Sequence, residues 1–143
     1  LKKDCIPKVF IPATDECPRL SEIVRFAGEV GGILAYAYLG DVTASVTGDK
    51  KAQKFEDDYL DELFEVISEA GIRAVTYMPT RNTQEQIERL RKLCDQYGML
   101  QISGEDINSP RQKFVIDKMK EEQFSNLIEN TWHLIRHENG EKE

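Results

Sequence analysis

Histidine is scarce in this chain: there are two in 143 residues, His133 and His137, both near the C-terminal end. That scarcity leaves no usable Ser-His-Asp set and no HExxH pair, and neither a GxSxG elbow nor a Gly-rich phosphate loop is present. Cysteine is also sparse. Cys5, Cys17 and Cys94 make an odd number with no CxxC spacing, which argues against a disulfide framework and fits reduced thiols in a cytoplasmic compartment. No apolar run reaches the length of a membrane span, and no secretory signal pattern is visible. A basic excess is missing too, since 26 acidic residues face 19 basic ones for a net charge of −7. General nucleic-acid binding is therefore not expected, although a local anion site is compatible with that balance.

What is present is an ordinary globular composition, 40% hydrophobic and 31% charged, in a length suited to one domain with its own core. The chain begins at Leu1 rather than Met, which suggests a processed product or a piece of something longer. The most legible stretch runs over 71–114. Two apolar segments, 72–78 and 99–103, read as strands. Between them Ile87, Leu90, Leu93, Cys94 and Tyr97 recur at helical spacing. Asn82 or Thr83 can cap that helix, with Glu85 or Gln86 completing a capping box, and Gly98 stands where a left-handed residue ends it. The result is a βαβ unit, whose right-handed crossover brings the carboxyl ends of both strands to one edge.

The rest of the chain extends the pattern. Residues 8–12 read as a short strand, followed by a helix over 18–30 with Pro18 at its first position and Gly31 and Gly32 at its end. Residues 33–38 form the next strand. A long polar stretch over 39–54, holding Asp49, Lys50 and Lys51, precedes a helix over 56–70 with an acidic first turn. Ser109, Pro110 and Gln112 either open a short helix or belong to a loop. A last helix over 117–137 carries Phe124, Leu127, Ile128, Thr131, Trp132 and Ile135 on one side. Four strand-then-helix units predict an α/β fold with a parallel sheet. Helix-to-strand turns are short, whereas the strand-to-helix loops are long and polar, which puts the candidate site at the carboxyl rim.

On that rim Arg81, Asn82 and Arg111 are candidates for holding a phosphate or carboxylate, the arginines through their planar forks. Solvated arginines, or pairing with Glu105 and Asp106, is the plainer alternative. His133 and His137 have the i, i+4 spacing that can place two imidazoles on one metal, and read otherwise as a surface pair at a helix carboxyl end. Cys17, at a helix start, lacks an evident partner base.

The segments EIVRFAGEVGGILAYAYLG and GIRAVTYMPTRNTQEQIERLRKLCDQYGMLQISGEDIN resemble the C-terminal half of the polymerase and histidinol phosphatase (PHP) family of metal-dependent phosphoesterases. The resemblance implies part of a distorted (β/α)7 barrel. It assigns residues 1–116 to a PHP-like half-barrel and 117–143 to a terminal helix and polar tail. In the intact parent it implies a divalent metal cofactor, zinc, manganese or iron, and a phosphorylated small molecule as substrate. Asp106 matches a metal-binding position, and Asn108 could coordinate through its amide oxygen or form an Asx-turn. Tyr38 and Asn108 stand where the family has histidines, and Thr76 where it often has a bridging glutamate, so this chain lacks most of the ligands. Three readings follow: a phosphoesterase fragment, a non-catalytic anion-binding or regulatory module, and a structural half that assembles with an N-terminal half or a second copy.

Overall fold

The structure, a computed structural model, describes Lys8 and residues 17–42, 54–107 and 110–141. The chain divides into two compact units, Leu1–Gly32 and Ile33–Glu143. The expected boundary after residue 116 falls inside the second unit, because the terminal helix packs against the sheet.

In the first unit, helix α1 spans Leu20–Glu29. It starts two residues beyond Pro18, at an N-cap on Arg19 whose backbone N–H donates to the Glu22 carboxylate over 3.0 Å. Gly31, at a φ of +69°, turns the chain out of the helix. None of the α1 residues is buried. Of the expected first strand over 8–12 only Lys8 is described, and its backbone is helical rather than extended.

The second unit is built on a parallel sheet of β1 (Ala35–Ala37), β2 (Ala74–Tyr77) and β3 (Leu100–Ser103), in the order β1-β2-β3. Helix α2 (Leu60–Glu69) connects the first two strands, and α3 (Gln84–Tyr97) the second two. The fold class is therefore mixed α/β with parallel strands, and three of the four expected strands are among the described residues. The capping alternatives resolve to Thr83 and Gln86. The Thr83 hydroxyl accepts from the Gln86 backbone N–H at 3.2 Å, and the Gln86 side chain accepts from the Thr83 N–H at 2.9 Å. Gly98 ends α3 at a φ of +62°.

Two further helices differ from expectation at their starts. The turn before α2 is a 3-10 segment, Asp57–Tyr59, because Glu56 and Asp57 turn their carboxylates toward the loop after β1 instead of into a regular first turn. The terminal helix α4 spans Ser125–Glu138 and is preceded by 3-10 turns at Asp117–Lys120 and Glu122–Phe124. Glu121, in extended backbone, separates those turns, and the apolar period has no member before Phe124. The stretch Pro110–Gln112 forms turns and bends rather than a helix.

Register places Val75, Tyr77 and Gln101 on one face of the sheet. Helices α3 and α4 cover it. The Gln101 amide donates to Asp95 and accepts from Tyr77 and Asn126, while the Asn130 side chain donates to the Gln101 carbonyl at 2.7 Å. Phe64, Leu60, Ile87, Leu90, Phe124 and Leu127 are fully buried in the same layer. On the opposite face Ala74 is buried, Ala35, Thr76, Leu100 and Ile102 are half-buried and Ala37 is exposed.

Candidate functional site

Parallel strands bring the loops after β1, β2 and β3 to one rim, and with them Arg81 and Asp106, as the sequence predicts. The start of the first loop, residues 38–41, is held by two carboxylates from the entry to α2. Glu56, 5% exposed, accepts the backbone N–H of Leu39 at 2.7 Å and of Gly40 at 2.9 Å. Asp57 accepts the Tyr38 hydroxyl at 2.5 Å, the Asp41 N–H at 2.9 Å and the Gln86 amide at 2.7 Å. Asp41 in turn accepts the Phe55 N–H at 2.7 Å. From α3 and the loop before it, Gln86 also donates to the Asp41 carbonyl, and Asn82 to the Leu39 carbonyl at 2.9 Å.

Gly40 makes this closure possible. Its φ is +68°, and a β-carbon there would stand 2.8 Å from the Gln86 side chain and 2.9 Å from those of Asn82 and Tyr38. Only glycine fits both the left-handed backbone and the close approach.

The electrostatics follow from these contacts. Burial works to raise the Asp57 carboxyl, but hydrogen bonds from Tyr38, Gln86 and the Asp41 backbone outweigh it and hold the pKa below the usual carboxylate value. Burial, then the hydrogen bond and charge of Asp57, push the Tyr38 hydroxyl far above its ordinary value. Burial and the Glu56 carboxylate do the same to Tyr36. Tyr38 therefore stays protonated near neutrality and donates to the fixed Asp57 carboxylate.

The loops after β2 and β3 are tied together by one side chain. Glu105 accepts the Thr80 N–H at 2.8 Å and the Thr80 hydroxyl at 2.5 Å. Arg81 is half-buried beyond that tie, and Asp106 and Arg111 are exposed. The Asp106 carbonyl accepts from the Gln112 side chain at 2.7 Å. Asn82 is buried, its side-chain oxygen accepting the Met78 N–H while its nitrogen holds Leu39. Its amide thus staples backbone on both sides of α3's entry, with little capacity left for an anion. Asn108, Lys50 and Lys51 lie outside the described residues.

The residues present do not fit the metal cluster that the resemblance implies. Tyr38, at a histidine position, is 1% exposed and its hydroxyl is committed to Asp57. Thr76, at the glutamate position, abuts Gly104, where a β-carbon would come within 2.9 Å of its hydroxyl oxygen. Among the described residues no three His, Cys, Asp or Glu side chains are grouped to hold a metal ion, Asp106 included. Imidazole and carboxylate donors must converge for such a site, and here the carboxylates converge on backbone N–H groups instead.

Sequence reasoning missed the lock formed by Tyr38, Glu56, Asp57 and Gln86. Glu56 and Asp57 read as residues favouring a helix amino end, which is a local explanation sufficient in itself. The one sequence signal of a tighter role was Gly40 directly after a strand, where a close backbone approach is a recognised reason for glycine.

No protein-family model, curated protein or solved structure matches this chain.

Proposed function

We propose that this chain is a non-catalytic α/β module, built on a PHP-like half-barrel scaffold, whose carboxyl rim binds a small phosphate or carboxylate instead of carrying out metal-dependent hydrolysis. The observation that carries the reading is the Tyr38–Asp57 hydrogen bond. It stands where the resemblance expects a metal-binding imidazole, and it belongs to a set of contacts that fixes the loop. The start of the β1 loop, so held, offers no displaceable metal ligand at Tyr38. Arg81 and Arg111 then supply the anion contacts from neighbouring loops, of which the Thr80–Glu105 bonds hold the first against the start of the second. The test pairs two assays. Phosphate titration followed by amide NMR should move signals around Arg81, and Arg81→Gln should weaken binding about tenfold or more. Hydrolysis of p-nitrophenyl phosphate and its diester should be no faster with added manganese, zinc or iron. Metal-dependent hydrolysis abolished by Asp106→Ala would instead establish the phosphoesterase reading.

A second reading is favoured by a separate observation. Among the described residues the face bearing Ala35, Ala37, Thr76, Leu100 and Ile102 is incompletely covered outside the buried Ala74, and the three parallel strands leave two edges. That is the geometry of a half-domain completed by another chain, whether an N-terminal half or a second copy. Sedimentation of the purified chain at several concentrations checks it, a monomer throughout counting against self-assembly.

A further inference from the structure

A cleft of about 540 Å3 opens at the opposite, amino-terminal rim of the sheet, lined by His133, His137 and Asn130 from α4, by Arg73 before β2, and by Met99 and Leu100 at the start of β3. The sequence makes this rim the plain one, with the shortest connections. Yet the chain's two histidines both face into the same space there. We propose that His133 and His137 chelate a borderline or soft divalent transition-metal ion, of the zinc, nickel or copper type, in this cleft.

Three observations support the assignment. First, residues 130, 133 and 137 are spaced i, i+3 and i+7 on one helical face, and i, i+4 imidazoles can share one metal. Second, Asn130 is oriented: its nitrogen donates to the Gln101 carbonyl at 2.7 Å, which leaves its oxygen as a third donor beside the imidazoles. Each histidine needs to present only one ring nitrogen, the other being the usual donor to a protein partner. Third, the field at this rim favours a cation. Helices α2 and α3 run against the strands and end here, and α4, anchored by Asn126 and Asn130 on Gln101, brings its carboxyl end to the same place. Three negative dipole ends therefore converge.

Arg73 is the one opposing charge among the lining side chains. Its guanidinium donates to the Ser68 carbonyl at 2.9 Å, at the carboxyl end of α2, so part of its charge is met by that helix end. The donor set, two imidazoles with an amide oxygen, suits zinc, nickel or copper and is a poor match for magnesium or calcium, which prefer several oxygens. Water would fill the remaining coordination positions.

The experiment is calorimetric titration of the full chain with zinc chloride at pH 7.5, in a Cys5→Ser, Cys17→Ser background so that those thiols do not compete. One zinc per chain is expected, with no comparable binding of magnesium. His133→Ala and His137→Ala should each weaken zinc binding about tenfold or more, and Asn130→Ala should weaken it less. Arg73→Gln should leave binding unchanged or strengthen it. Circular dichroism checks that each variant is folded, and His137→Ala, at an exposed position, remains decisive if His133→Ala does not fold. The proposal is overturned if zinc fails to bind at millimolar concentration, if its affinity survives the loss of His137, or if magnesium binds equally well.

Discussion

Replacing Gly40 by alanine should be among the most damaging single-methyl changes in this protein. The added carbon would sit in left-handed backbone, at a cost of roughly 1–2 kcal/mol. It would also press on three side chains at once, at 2.8 Å from Gln86 and 2.9 Å from both Asn82 and Tyr38. Those atoms cannot simply swing aside, because each is engaged with the backbone or with Asp57. Overpacking of that kind adds about 1–3 kcal/mol, so the expected total is about 2–5 kcal/mol. Gly98 is the internal control. It has a similar φ of +62°, but a β-carbon there would meet nothing within 4 Å, so Gly98→Ala should cost only the backbone term, roughly 1–2 kcal/mol. Urea unfolding followed by circular dichroism measures both variants. With a slope of about 2 kcal/mol per molar, Gly40→Ala should lower the midpoint by about 1–2.5 M and Gly98→Ala by less than about 1 M. Equal losses in the two variants would refute the claim that the β1 loop is clamped onto α3.

Other consequences can be checked independently. The Asp57 carboxyl is held below its unfolded value, so its stabilising contribution is complete above about pH 4, the unfolded-state range, and is lost as pH falls through the folded value. Asp57→Asn should remove that acid-side loss and lower stability at neutral pH, as read by thermal melts across pH. Burial pushes the Cys94 thiol up to about 12, whereas Cys17 is exposed, so iodoacetamide with peptide mapping should label Cys17 in the native protein and Cys94 only after denaturation. Leu127, fully buried where α4 meets the sheet, should cost about 2–5 kcal/mol on truncation to alanine, whereas Ile128→Ala at 47% exposure should cost well under half of that.

Local signals were the part of the fold that the sequence disclosed well. Thr83, Gln86 and Gly98 delimit α3 by contacts within a turn of themselves, and the apolar period from Ile87 to Cys94 matches what is buried. The parallel sheet followed from the alternation of strand and helix, and the rim shared by Arg81 and Asp106 followed from the sheet's direction. What escaped notice depends on contacts between residues far apart in sequence. Tyr38 meets Asp57 across 19 positions and Thr80 meets Glu105 across 25, and no periodicity records either pairing. Asn82 has an equally good local reading as a cap, whereas its side chain spans two loops. The expected start of α4 is too early because the polar run 117–123 is compatible with a helix surface, whereas it folds as 3-10 turns in which Met119 accepts from the Ser103 hydroxyl at 3.7 Å.

The proposed carboxyl rim holds a structural lock with an anion site beside it and no metal centre at Asp106. Crystals grown with manganese and inorganic phosphate, measured at a wavelength where manganese scatters anomalously, test it most directly. The account predicts phosphate density against Arg81, with the Tyr38 hydroxyl still on Asp57 and no manganese peak at Asp106. A manganese ion coordinated by Asp106, with Tyr38 displaced from Asp57 to admit it, would contradict it.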